Sequence, residues 1–199
     1  MIKNGKLLYH LTALENLASI LQQGLLSRSE LDNEEFNDVA DGKILHSRQS
    51  HQLDKYVPFH FFARTPFDYS VQHNHPDKDF VLIAVQREVA KANAWKIVPT
   101  HPLAEEGYQI LDYDAGMAAI NWDLIEQRDY DDRACKVACM AECLSPLCVK
   151  HNIFCSIYVK NDHSKALVDN MMKEYNLRNS DSQINDCHIN INPAMFVGE

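Results

Sequence analysis

The chain has 199 residues, 46% of them hydrophobic and 24% charged, with a formal net charge of -9. That length suits one domain over residues 1–199, able to bury about 70% of its unfolded surface without staples. The composition excludes a disordered chain, no apolar run approaches the ~20 residues of a membrane-spanning helix, and the negative charge argues against a broad basic surface for duplex nucleic acid. A narrow groove that threads a single strand past a few arginines stays compatible with it. The opening Met1-Ile2-Lys3-Asn4-Gly5-Lys6 leads into a strand-like run rather than the apolar core of a signal peptide, so a cytoplasmic chain is expected. The six cysteines then read as thiols rather than a disulfide framework.

In chain order, Leu7-Leu8-Tyr9-His10 reads as a short buried strand. Thr12 and Glu15 have capping-box spacing, and Leu14, Leu17, Ala18 and Leu21 form the apolar face of a helix that Gly24 ends. His10 thus falls at a strand end beside a helix N-terminus, where free amides favour an anion; it reads either as part of a phosphate or ribose site or as a histidine bonded to a backbone carbonyl. Ser27 to Lys55 is polar and without apolar period, a long loop with an acidic section at Asp32, Glu34, Glu35 and Asp38, and it carries Arg48. His46 and His51 flank that arginine without a third metal ligand.

Tyr56 to Phe62 is aromatic and reads as a strand; Thr65 and Pro66 then start a helix, with Arg64 just ahead of the cap. Phe80 to Val85 reads as a core strand, Arg87 to Ala94 as a short helix and Trp95 to Val98 as another strand. Thr100 to Met117 reads as an irregular cover, and Asp131 or Asp132 caps a helix through Cys139. Ile153 to Val159 is the clearest strand, Asp162 caps a last helix bearing Leu167, Val168, Met171 and Met172, and His188 to Ile191 adds an edge strand. This irregular alternation predicts an α+β fold.

The stretch Lys136 to Leu144 organises the functional reading because it sets one carboxylate, Glu142, among small and apolar residues. A carboxylate there is paired, hydrogen-bonded or kept for a ligand; the alternative is a glutamate on the wet side of an amphipathic helix. Periodicity does not decide whether Glu142 ends that helix or begins a strand. Cys135, Cys139 and Cys143 recur at helical spacing, which reads as a packed stripe of thiols and not as a metal site.

Four blocks together resemble the DarT family, toxin enzymes of the ADP-ribosyltransferase superfamily that attach ADP-ribose from NAD to bases in DNA. They are Tyr9-His10-Leu11-Thr12 with the following Asn16-Leu17 to Gly24-Leu25-Leu26; Tyr56 to Phe61 with Ala63-Arg64-Thr65-Pro66-Phe67; Asn121 to Ile125; and Met140-Ala141-Glu142-Cys143-Leu144 followed by Ile157-Tyr158-Val159. The resemblance implies a compact mixed sheet split around an NAD cleft, with NAD as co-substrate and no metal. It makes Glu142 the catalytic glutamate and Arg48 its companion, and it places His10, Leu11 and Thr12 at the NAD-binding strand end, with Arg64 as competitor to Arg48. It further implies a single-stranded DNA substrate, a macrodomain-type antitoxin as partner and no membrane, in a toxin–antitoxin or phage-defence setting. His60, Cys143 and Pro146 depart from the family pattern near the expected site, which leaves the base, thymine or guanine, open. Transfer to RNA or protein, an idle module that binds NAD or nucleic acid, and a nucleophile pairing Cys139 or Cys143 with His60 or His151 are the competing readings.

Overall fold

The computed structural model describes residues 1–31, 48–102, 109–175 and 187–198. Its centre is a sheet in the order β5-β4-β6-β2-β1-β3-β7-β8. The strands are β1 (Leu7–Ala13), β2 (Val57–His60), β3 (Phe80–Gln86), β4 (Lys96–Val98), β5 (Leu111–Asp112), β6 (Glu142–Ser145), β7 (Phe154–Val159) and β8 (His188–Ile191). All neighbours are antiparallel except β7 and β8, so the sheet is mixed. Helices flank it: α1 (Leu17–Gln23), α2 (Pro66–Asn74), α3 (Arg87–Ala92), α4 (Tyr113–Ala119), α5 (Trp122–Gln127), α6 (Arg133–Ala138) and α7 (Asp162–Glu174). None among the described residues is long and apolar enough to cross a membrane.

The unbroken apolar run of β3 follows from its place in the sheet. Val81, Ile83 and Val85 enter the large core cluster with Leu8, Phe59 and Ile157, whereas Phe80 and Leu82 join a second cluster with Leu11, Val71 and Phe196. Successive side chains leave a strand on opposite faces, so a strand covered on both sides has no polar position to spare.

β1 pairs with β3 along its whole length, from Leu7 with Gln86 to Ala13 with Phe80. Towards β2 it makes only one register pair, Tyr9 with His60. From that point the two strands diverge, and the sheet splits between them. β2 remains laddered to β6 from Val57 with Ser145 to His60 with Glu142.

A second polar feature holds the other end of β1. Arg87 is buried, and its guanidinium donates to the carbonyls of Leu7 at 3.1 Å, Lys3 at 3.0 Å, Ile2 at 3.0 Å and Phe61 at 3.1 Å. Its charge also lies 5.1 Å from the Phe61 ring centre and 5.7 Å from that of Trp122. Burial pulls its pKa down, and the ring of acceptors is what keeps a desolvated cation tolerable.

Several local expectations are corrected. Thr12 is not a helix cap: β1 continues through Ala13, Leu14–Asn16 is a 3-10 turn, and the Leu14 amide donates to Asp79 O at 2.8 Å across the chain. Pairing with β3 outcompeted the local capping box, so Glu15 is left to meet Lys78 at 3.3 Å. Asn161 rather than Asp162 caps α7, by accepting from the Ser164 amide. The strand expected over Tyr56 to Phe62 is confined to Val57–His60, because the chain bends at Phe61 to present its carbonyl to Arg87. Leu111–Ala119 contains β5 and α4, not irregular chain, since Lys96 and Ile97 offer a free strand edge to Asp112 and Leu111. Residues 103–108 of the predicted cover lie outside the described residues.

Thr65 and Asp68 form a reciprocal capping box ahead of Pro66, and Gly24 ends α1 with φ of 95°, both as the sequence predicts. A side chain at Gly24 would also strike Cys148 Sγ. The polar stretch from Ser27 holds 3-10 turns at Arg28–Glu30 and Leu53–Lys55 and helical residues 48–50; Asp32, Glu34, Glu35, Asp38 and His46 lie outside the described residues.

Candidate active site

Asp132 caps α6 by accepting from the Cys135 amide at 2.8 Å, the helix ends at Cys139, and β6 begins at Glu142. This decides between the two local readings of Glu142: it opens a strand in the middle of the sheet, flanked by His60 on β2 and Val98 on β4. Its residue exposure is 4%. A carboxylate so placed requires compensation, and Arg48 supplies it: Nη1 donates to Oε1 at 2.8 Å and to Oε2 at 3.0 Å. Both partners are shielded, with side-chain exposures of 12% and 5%.

The pair is not saturated. One guanidinium nitrogen serves both carboxylate oxygens, and the other, Nη2, is buried with no acceptor among the described residues. The carboxylate also retains lone pairs, because two oxygens offer about four acceptor positions.

The split in the sheet turns this pair into the wall of a cleft. His10, Leu11 and Thr12 of β1, Pro58 and His60 of β2, Glu142, Arg48, Arg28, Asp54 and His101 all line it, along with Ser19 and Ile20 of α1. The cleft encloses about 1340 Å³ of non-atom space, part of it open solvent. By strand parity His10 shares its face with Leu8 and Thr12, whereas His60 and Glu142 are cross-strand partners on the other face. Only the divergence of β1 from β2 lets both sets reach one cavity.

The histidines have defined roles in this wall. His10 Nδ1 donates to Pro58 O at 2.8 Å across the split, so in the neutral ring Nε2 is an acceptor. Burial pulls the His10 pKa down to about 4, against the pull of that carbonyl. His60 Nδ1 donates to Ala141 O at 3.2 Å, and its ring lies 5.9 Å from Phe67. Burial also lowers the His101 pKa, with Glu142 opposing it.

Arg48, Glu142, His10, Leu11 and Thr12 are thus brought together. Thr12 is buried and accepts from Asn16 Nδ2 at 3.3 Å. Arg64 is not brought in: it is exposed, has φ of 63°, its carbonyl accepts from Tyr130 at 2.7 Å, and it does not line the cleft. Sequence reasoning missed Arg28, Asp54 and His101 as cleft residues. Ser27 and Glu30 had capping-box spacing around Arg28, and that signal was available.

The cysteines are packed thiols as expected, but they do not form one helical stripe, and the nucleophile reading is not supported. Cys143 lies in β6, not on the helix with Cys135 and Cys139, and all three are buried. Burial pushes the Cys139 thiol up to about 12 and raises that of Cys143 as well, the opposite of an activated nucleophile. Tyr9 packs with Tyr158 at 6.1 Å, Phe61 packs against Trp122 at 5.4 Å, and Tyr69 is exposed; none of the three lines the cleft.

A family model described as ssDNA thymidine ADP-ribosyltransferase, DarT, matches residues 9–197. A DNA ADP-ribosyl transferase–DNA ADP-ribosyl glycohydrolase fusion protein of Thermosipho africanus (strain H17ap60334) is 30% identical over 184 residues, which cover 86% of this chain and 46% of the relative. The chain therefore spans about half the length of that relative. Among solved structures, Thermus sp. 2.9 DarT in complex with ADP-ribosylated ssDNA superposes with a TM-score of 0.81 at 16% identity, over 96% of each chain. Thermosipho africanus DarTG in complex with ADP-ribose superposes with a TM-score of 0.71 at 25% identity, over 96% of this chain and 51% of that one. The Thermus likeness shows a shared fold, and the match along nearly the whole sequence shows the lineage: the chain belongs to the DarT family of ssDNA thymidine ADP-ribosyltransferases.

Proposed function

We propose that this chain transfers ADP-ribose from NAD to thymine in single-stranded DNA, with Glu142 and Arg48 as its catalytic pair. The observation that carries this reading is the buried, unsaturated Arg48–Glu142 contact in the wall of a cleft that His10 and Thr12 also line. The residues suit NAD. Backbone and side-chain groups of β1 flank the cavity, and Arg28 brings positive charge towards a diphosphate.

Transfer breaks the bond between nicotinamide nitrogen and ribose C1′, and the electron pair leaves with nicotinamide. C1′ passes through an oxocarbenium-like state, for which a fixed carboxylate in a water-poor wall supplies stabilisation that water would have to reorganise to give. Glu142 is that carboxylate, and its spare lone pairs accept from a ribose hydroxyl. The thymine ring N–H attacks C1′ through nitrogen, and its proton passes to Glu142. Arg48 does not act as the base, because a guanidinium stays protonated; it fixes the carboxylate and offers Nη2 to an oxygen of the incoming base. Neutral His10 keeps Nε2 as an acceptor towards the ligand.

Tethering of Glu142 by one guanidinium nitrogen bears on specificity. A carboxylate so held offers a single angle of approach, and productive attack then requires the acceptor ring to be splayed from a stack, which single-stranded DNA permits at little cost. The net charge of -9 fits binding through a few bases in a narrow groove better than through a long phosphate track. We place the reaction in the cytoplasm, where NAD and transiently single-stranded DNA coexist. A macrodomain-type antitoxin that removes the modification is the expected partner, as the transferase–glycohydrolase fusion of the Thermosipho relative suggests. Residues 1–199 act as one catalytic domain in this reading.

The test is incubation of the purified protein with NAD and two oligonucleotide pools, one lacking thymine and one lacking guanine, read by intact mass. A gain of one ADP-ribose only where thymine is present is expected, and Glu142→Gln should lower the rate about 10²–10³-fold in folded protein. Modification only of the thymine-free pool moves the base to guanine. NAD consumed with neither pool modified moves the acceptor to RNA, protein or water, and NAD bound but unconsumed supports an idle module.

A further inference from the structure

The cleft contains a second acidic group, half-buried, that the catalytic chemistry does not use. Asp54 lies in the 3-10 turn Leu53–Lys55 and lines the cavity, and its Oδ1 is buried with no donor among the described residues. The turn is built to hold it there. Leu53 is fully buried against Val98 and Leu144, and Gln52 ahead of it sits at φ of 58°, so the chain enters the turn from a left-handed residue. A buried carboxylate oxygen without a donor is unfavourable in the free protein, and a ligand that donates to it removes that penalty.

An ionised carboxylate only accepts, so it repels phosphate and selects ligand groups that carry O–H or N–H. Its two oxygens match the two hydroxyls of a cis-diol. DNA has no such diol, because deoxyribose lacks the 2′-hydroxyl, whereas each ribose of NAD has one. Glu142 is already assigned to the ribose that carries nicotinamide. The turn Arg28–Glu30 packs on the turn of Asp54, and Arg28 lines the same cleft, so a cation and a carboxylate stand on adjacent turns. That pairing of charges fits the junction of a ribose with a diphosphate.

We infer that Asp54 is a binding residue for the adenosine ribose of NAD, accepting from its 2′- and 3′-hydroxyls. The inference rests on the NAD reading of the cleft and extends it to the half of the dinucleotide remote from the reacting bond. Asp54 then contributes to NAD affinity and not to the chemical step, and it discriminates ribose from deoxyribose.

The experiment compares binding of NAD with binding of its analogue carrying 2′-deoxyadenosine, measured by calorimetry on the parent, Asp54→Ala and Asp54→Asn. The parent should bind NAD about tenfold or more tightly over the analogue, and both variants should lower NAD affinity while bringing that ratio towards one. Because the readout is a ratio within each protein, partial loss of fold does not imitate the result, and Asp54→Asn carries the test should the alanine variant fail to fold. A parent that binds both ligands equally, or a variant that keeps the parent's ratio, overturns the assignment of Asp54 alone. A parent that binds neither NAD nor ADP-ribose overturns the NAD reading, and the assignment falls with it.

Discussion

Arg87 and Arg48 are both withdrawn from solvent, and they are finished to different degrees. Arg87 spends its guanidinium on four backbone carbonyls and lies against two aromatic rings, so each of its three nitrogens already has an acceptor. Arg48 places one nitrogen on both oxygens of Glu142 and leaves the other buried without an acceptor among the described residues. The difference teaches that burial of charge is not what marks a functional site here; incomplete satisfaction of buried charge is. A saturated cation ties chain segments together, and an unsaturated pair is held ready for groups that arrive with the substrate.

The comparison breaks most directly at Arg87. Arg87→Met should cost about 3–5 kcal/mol of stability, because four carbonyls lose their donor and the start of β1 loses its tie to Phe61. The measurement is the denaturation midpoint, together with activity under conditions where the variant remains folded; there the transfer rate should stay near that of the parent. Arg48→Lys tests the opposite side. It keeps the charge beside Glu142 but loses the second nitrogen, so the melting temperature should fall much less than for Arg87→Met while the rate falls about 10–100-fold. If the two variants exchange these outcomes, the distinction between the two arginines is wrong.

A smaller effect comes from pH. His10 is held neutral in the fold with its pKa drawn down to about 4, against an ordinary value of 6.5. Between those values the unfolded chain takes up a proton that the folded chain refuses. This contribution to stability is therefore complete above pH 6.5 and is lost progressively as the pH falls from 6.5 towards 4. Over that window His10→Gln should show a shallower decline than the parent, by about 1–3 kcal/mol in total, as read from denaturation midpoints at several pH values. Equal slopes would show that the ring titrates alike in both states. The Arg87 region, with no group of this kind in its ring of acceptors, should show no such window.

Local chemistry made some elements legible. The Thr65-Pro66 start of α2, the Gly24 end of α1, the apolar run of β3 and the Asp132 cap of α6 each follow from a short stretch whose neighbours agree with it. Glu142 was legible as a carboxylate that needed a reason, because small and apolar residues surround it in the chain. The Thr12–Glu15 capping box misled, because long-range pairing of β1 with β3 claimed the residues that the local motif would have used. The spacing of Cys135, Cys139 and Cys143 misled in the same way, since a period of four continues in sequence across the point where a helix gives way to a strand.

Sequence by itself determined the residue types of the site, the family, and which segments have to be buried, since these follow from side-chain chemistry and short-range periodicity. Tertiary structure alone decided that Arg48, and not Arg64, meets Glu142. It also decided that Arg28 and Asp54 share one wall, and that residues from opposite faces of the strands reach a single cleft. The physical reason is the register. One shared pair between β1 and β2, at Tyr9 and His60, opens the sheet beside His10, and no local pattern in either strand records where two segments far apart in the chain stop pairing.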